Sequence, residues 1–219
     1  MKKITLSHGS GGSLTHRLIQ DIFARAFKNE YLDKLDDSAL LDLKKGNYAY
    51  TTDSFVVDPL FFPGGDIGKL SVCGVINDLA SCAARPLFMT CGFIIEEGLP
   101  LNDLRRIASS MAKEARKNNL KIVAGDTKVV PKGKADKIFI NCSGVGIVEK
   151  KVGMGMIRPG DKVLINGDIA RHGLSILLGR EGFSYESSLE SDCNSLWEIV
   201  ELLIKGDVDV RFMRDPTRG

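Results

Sequence analysis

Five aspartates stand in segments where a carboxylate can meet a ligand: Asp36, Asp37, Asp53, Asp78 and Asp126. Their neighbours place each at a strand edge, a turn or a helix entry. Hydroxyl and amide side chains accompany them in Ser38, the run Thr51-Thr52-Asp53-Ser54, Asn77-Asp78 and Asp126-Thr127. Oxygen donors of this kind suit a hard cation such as Mg2+, which a few carboxylates hold against substrate phosphates. Taken singly, each aspartate also suits a turn or a helix cap. Asp78 breaks that rule. Asn77-Asp78 interrupts the apolar run Val75, Ile76, Leu79 and Ala80. Asn and Asp are weak helix formers because their short side chains compete for backbone groups. A carboxylate in such a setting needs a cation or hydrogen-bond donors. The set points to a metal–phosphate site.

Two glycine-rich stretches can hold phosphate. In SHGSGG (7–12) the backbone amides can wrap an anion, with Ser7 and Ser10 as further donors. PGGDIGK (63–69) opens a helix whose amino end favours an anion, with Lys69 in reach of it. The second stretch is not a Walker loop, which needs glycine where Pro63 stands and Ser or Thr where Leu70 stands. Lys128 directly follows Asp126-Thr127, so a cation adjoins a candidate ligand, as befits a triphosphate. His8, His16 and His172 are too scattered for a metal triad, and only His8, inside the glycine arm, is a candidate polar contact. Neither G-x-S-x-G nor G-x-G-x-x-G occurs, so neither a hydrolase elbow nor a dinucleotide fold is signalled.

The elements that must position these residues follow from periodicity. Residues 14–28 have helical spacing, with Leu14, Leu18, Ile22 and Ala26 on one face. Residues 47–57 and 87–96 read as strands, and the Pro/Gly loop between them leads into the helix carrying Asn77-Asp78. Asn102 can cap a helix reaching about Asn118, its face formed by Leu104, Ile107, Ala108, Met111 and Ala115. KIVAG (121–125) reads as a buried strand with Asp126 just past its end, and 138–148 as another strand. A charged, glycine-rich seam at 149–160 divides residues 1–150 from a second unit at 156–219. That unit opens with VLING as a strand, followed by a turn into a helix and a helix at 195–205. Only some sixty residues remain there, which reads as an incomplete second domain.

Lys plus Arg number 30 against 28 Asp plus Glu, so no basic stripe argues for nucleic acid. No apolar run approaches the ~20 residues of a membrane helix. The amino terminus has two lysines with no apolar stretch behind them, unlike a secretory signal. The five cysteines, an odd number without a C-x-x-C pair, argue against zinc or disulfides and for a reducing, cytoplasmic compartment.

SHGSGG, LDDSALLDL, TTDSFVVDPLFFPGGDIGKLSVCGVINDLASCAARP, GDTKVVPKGKAD and MRDPTRG together resemble the HypE family of hydrogenase maturation proteins. That family sits in the superfamily of aminoimidazole ribonucleotide synthetase, selenophosphate synthetase and thiamine-monophosphate kinase. The resemblance implies a two-domain PurM-like α/β (α+β) architecture. In it, residues 1–150 bind ATP, and their mixed sheet joins that of a second copy in a dimeric barrel. It implies ATP and Mg2+ between the domains, with Asp37, Asp53, Asp78 and Asp126 as metal ligands and Asp78 and Lys128 as catalytic residues. Ser10, Gly11, Gly12, Lys69, Asn77, Thr127, Asp215 and Thr217 would contact the nucleotide, together with Asp37, Asp53 and Asp126. The implied activity is ATP-dependent dehydration of a carboxy-terminal S-carbamoyl-cysteine to thiocyanate, the source of cyanide for nickel–iron hydrogenase. The implied partners are a HypF-like carbamoyltransferase and a HypC–HypD-like scaffold. No cysteine of the chain matches the family's terminal one, and Cys193 precedes a helix rather than lying in a tail. Two other readings therefore stand beside this one: another ATP-dependent synthetase or kinase of the superfamily, and a non-catalytic assembly module.

Overall fold

The computed structural model describes residues 3–34, 38–180 and 188–215. Its centre is a mixed sheet of β1 (Tyr48–Phe55), β6 (Ile138–Val148), β4 (Ala84–Glu96) and β5 (Lys121–Val130), in that order across the sheet. β6 runs antiparallel to both β1 and β4, whereas β4 and β5 are parallel. A parallel pair needs a crossover, and α3 (Leu101–Lys117) supplies it. A small hairpin of β2 (Phe61–Phe62) and β3 (Gly65–Asp66) leads into α2 (Ile67–Ser81).

Period-two alternation sorts the strands into two faces. Met89, Cys91, Phe93 and Ile95 of β4 and Ile138, Ile140 and Cys142 of β6 point to the helix-covered face and are buried. Two glycines let α2 settle deeply. A Cβ on Gly144 would lie 2.3 Å from Val75 Cγ1, so the helix rests on the sheet there. A Cβ on Gly68 would lie 2.5 Å from the Ile107 carbonyl oxygen, so α2 and α3 cross in close contact. The expected apolar face of α3 is buried as the spacing requires, but the helix is capped by Pro100, and Asn102 lies inside its first turn.

The amino-terminal helix starts as α1 (Ser13–Leu18) and widens into π-helical turns over Ile19–Ala24. Leu18 and Ile22 are buried, but Leu14 is 39% exposed because this end of the helix overhangs the core. β5 runs on to Val130, so Asp126 lies within the strand, and Asp53 likewise lies inside β1. VLING is not a strand. Val163 and Leu164 are 96% and 90% exposed, and no described strand lies alongside to satisfy their backbone. Beyond α4 (Arg171–Gly179), the chain from Ser191 returns to the first domain instead of standing apart from it. Trp197 and Val200 of α5 (Trp197–Lys205) enter the main core.

Candidate functional site

α2 is fixed at its start by Asp66. Its carboxylate accepts from Gly68 N at 2.7 Å and Lys69 N at 3.1 Å, and from the Ser110 hydroxyl. The helix end that PGGDIGK was expected to offer a phosphate is therefore filled by the chain's own anion. Lys69 Nζ folds back to the Gly64 carbonyl at 3.0 Å. The amide donors of this loop and Lys69, which the sequence offers to a phosphate, are thus engaged by the protein's own groups.

Further along α2, the half-buried Asp78 accepts a 2.7 Å hydrogen bond from the Thr51 hydroxyl of β1. Thr51, Asp53 and Phe55 alternate onto the face that meets α2. Asp53 Oδ1 accepts from Ser54 N at 2.8 Å, and a Cβ on Gly74 would lie 3.6 Å from Asp53 Oδ2. Gly74 and Asp78 are four residues apart and share a helix face. Asp53 and Asp78 thus line one seam between β1 and α2, Asp53 at its exposed mouth. Thr51 was legible only as part of a hydroxyl-rich run; its tie to Asp78 spans 27 residues and has no local signal.

Asn77 faces elsewhere. Its amide donates to the Asn194 carbonyl at 3.0 Å, and its Oδ1 accepts from Leu196 N at 2.8 Å. It anchors a strap over residues 191–197. Ser191 N bonds the Pro63 carbonyl at 2.8 Å, and the Ser195 hydroxyl bonds Asn118 Oδ1 at 2.6 Å. Cys193 packs with Cys73 of α2. A hydrogen bond from Cys73 lowers the Cys193 thiol pKa, while the same contact and burial raise that of Cys73. His172, stacked edge-on to Phe62, shares a 2.9 Å contact with the Ser191 hydroxyl, and burial lowers its pKa.

The other candidates gather at the opposite sheet edge. Asp126 and Lys128 alternate onto the open face of β5 and are exposed, with Lys128 Nζ 3.9 Å from Asp126 Oδ2. Thr127 and Val129 face the helix side. There Gly9 of the amino-terminal arm lies so close that a Cβ would be 2.7 Å from Val129 N. The arm is ordered by its own contacts: Ser10 Oγ donates to the Ser7 carbonyl, Gly11 N donates to Thr15 Oγ1, and Gly12 precedes α1. His8 is a local cap, its Nδ1 accepting from Thr5 N at 3.1 Å.

Asp53 pairs with Cys142, Cys142 with Cys91 and Cys91 with Gly125, one rung across four strands. At about 4.8 Å per strand, Asp53 and Asp126 are separated by about 14 Å and project from opposite faces. The structure therefore does not bring Asp126 together with Asp53 and Asp78, which the sequence reading places at one site. No group of three or more His, Cys, Asp or Glu able to hold a metal occurs among the described residues. Asp37 and Thr217 lie outside the described residues, and Asp215 is exposed near the end of the last described segment. No described helix is long and apolar enough to cross a membrane.

Residues 35–148 match the family of AIR synthase related proteins, N-terminal domain. The carbamoyl dehydratase HypE of Azotobacter vinelandii is 47% identical over 218 residues, 99% of this chain and 64% of that protein. The carbamoyl dehydratase HypE of Escherichia coli K12 is 43% identical over 226 aligned positions, covering 100% and 67%. Among solved structures, the hydrogenase maturation protein HypE in complex with ATP superposes with a TM-score of 0.92 at 48% identity, covering 96% of this chain and 63% of that one. A HypE–HypF complex gives a TM-score of 0.76 at 50% identity, covering 92% and 66%. The chain thus spans 64% of the length of the first of these curated relatives.

Proposed function

Since this chain belongs to the family of AIR synthase related proteins, on its HypE branch, we propose that it forms the nucleotide-binding part of an ATP-dependent carbamoyl dehydratase. The substrate is a protein S-carbamoyl-cysteine, R–S–C(=O)–NH2. Its oxygen is a poor leaving group. Transfer of the γ-phosphoryl group of ATP to that oxygen releases ADP. Cleavage of the C–O bond then expels phosphate, and with loss of both nitrogen protons R–S–C≡N remains. That thiocyanate supplies cyanide for the iron of nickel–iron hydrogenase. A HypF-like carbamoyltransferase delivers the carbamoyl group, and a HypC–HypD-like scaffold receives the product in the cytoplasm.

The seam between β1 and α2 carries this reading. Its donors are two carboxylates and a hydroxyl, the hard-oxygen set that suits Mg2+ shared with phosphates. Asp53 and Asp78 would hold the ion, which supplies neutralisation of the phosphate charge. The Thr51 hydroxyl fixes one oxygen of Asp78 at 2.7 Å, which leaves the carboxylate oriented before ligand arrives. Asp37, Asp215 and Thr217 complete the nucleotide contacts.

The remaining contacts come from a second copy. Among the described residues, β1 and β5 are the two edges of the sheet, each able to accept another strand. With β5 of a second copy laid against β1, the edge that carries its Asp126, Thr127 and Lys128, and with it the arm of Ser10, Gly11 and Gly12, would lie beside the edge that carries Asp53, with Thr127 on the same face as Asp53. Lys128 is assigned to the γ-phosphate on the family likeness, since its strand position places it on the other face of that edge.

Calorimetric titration with MgATP tests this. Asp78→Asn and Asp53→Asn should each weaken binding at least about tenfold, with circular dichroism unchanged. Retained affinity in both variants overturns the assignment.

A further inference from the structure

We propose that the groove between the amino-terminal helix and α3 docks an acidic segment of a partner protein. α3 packs on α2 along one flank and on the π-helical turns along another, so the groove is separate from the seam of Asp53 and Asp78. Two hollows, of about 380 and 310 Å3, lie side by side and share Ala26, Ala112 and Arg116 in their walls.

The floor is apolar, with Ile22, Phe27 and Leu120 beneath small alanines. The rim is cationic. Arg25, Arg105 and Arg116 surround the smaller hollow against a single carboxylate, Asp21. Lys28 and Lys121 border the larger one, where Lys121 is paired with Glu30. None of the three arginines has a carboxylate partner among the described residues. Arg116 donates to the Ala26 carbonyl at 3.3 Å and so ties the two walls together. Arg25 and Arg105 have no such duty and keep their donors for a ligand.

Length and shape select a peptide. Arg105 and Arg116 are eleven residues apart on one helix face, about 16 Å at 1.5 Å per residue. An extended segment of about five residues spans that distance. Alternating carboxylates and apolar side chains would meet rim and floor together. A small phosphate ligand would want a buried polar cradle, and none lines these hollows. Nucleic acid would want stacking faces and a basic surface, against a net charge of only +2.

The probe is a fluorescein-labelled ten-residue peptide alternating Glu or Asp with Leu, titrated by anisotropy against the whole chain. Binding in the micromolar range, weakened at least about tenfold by Arg25→Glu with Arg105→Glu and weakened in 0.5 M salt, is the expected result. MgATP affinity and circular dichroism should be unchanged in that variant, which separates this site from the nucleotide site. A poly-Glu peptide of equal charge should bind more weakly, since it ignores the floor. Equal binding of wild type and double variant overturns the proposal. So does loss of duplex DNA or anionic-vesicle binding in the variant without any peptide binding. Self-association that vanishes in the variant, again without peptide binding, would seat a second copy there and equally overturn it.

Discussion

Asn77 distinguishes a ligand-binding residue from one that holds the fold. Its side chain makes two hydrogen bonds to backbone, donating to Asn194 O at 3.0 Å and accepting from Leu196 N at 2.8 Å. Asn77→Ala removes both. A neutral hydrogen bond contributes about 1 kcal/mol net, and a stranded backbone group adds its desolvation, so the loss is about 2 kcal/mol. In a chain of this size each kcal/mol lowers Tm by about 2–4 °C, which predicts a fall of about 4–8 °C. The strap that Asn77 anchors leads straight into Trp197, 6% exposed in the core, so the loss should appear in the tryptophan emission as well. Asn77→Asp keeps the acceptor and loses the donor, and should fall about midway. Thermal unfolding followed by tryptophan fluorescence measures this, with MgATP titration alongside. Unchanged Tm together with at least tenfold weaker MgATP binding would refute the anchoring role and return Asn77 to the nucleotide.

Thr51→Val frees the Asp78 carboxylate and should weaken MgATP binding about three- to tenfold while Thr51→Ser restores it; equal affinity for all three refutes the positioning role. Gly68→Ala gains about 1 kcal/mol of helix propensity but forces a methyl to within 2.5 Å of the Ile107 carbonyl, an obstacle of backbone. A net loss of about 1–2 kcal/mol is expected in urea unfolding, and a stabilised variant would show that the helices do not cross there. Burial holds the His172 pKa below its ordinary 6.5, so the unfolded chain binds the proton more tightly. Stability from this group is whole above about pH 6.5 and is lost as pH falls through the lower folded value. His172→Gln should flatten that decline, and an identical pH profile in wild type and variant would exclude His172 as its source.

The helices were legible because their patterns are local. Asn77-Asp78 stood out as an anomaly in an apolar helix, and each side chain does have a polar task. The two tasks differ because neighbours on a helix point about 100° apart. Asp78 turns to β1, and Asn77 turns to the strap. Strand order was not legible. β6, the last described strand in sequence, inserts between β1 and β4 and drives the edges apart. Aspartates that look equivalent along the chain thereby end on different faces and different edges. VLING failed for a related reason: β propensity reports fit to a neighbouring strand, and none of the described strands lies beside Val163 and Leu164. In sequence, Asp66 falls within a candidate phosphate loop because a capping carboxylate and a ligand-binding loop share the same glycine-rich signature.

The separation of Asp53 from Asp126 also limits how the sheet can be completed. An aspartate side chain cannot bridge about 14 Å, so no rotamer change joins the two edges. Nor do four strands curl shut, since small closed barrels use at least about five. Two copies of this sheet supply eight. The open face carries apolar side chains that the single chain leaves bare: Tyr50 is 73% exposed and Ile94 44% exposed. Thr52 and Ser143 bond one another beside them at 3.0 Å, and Asn141 donates to Ser54 Oγ at 2.9 Å. Hydroxyls and amides satisfied along their own sheet leave the apolar side chains to meet a second sheet. The same closure would set the edge that carries Asp126, Thr127 and Lys128 beside the edge that carries Asp53, with Thr127 on the face of the seam.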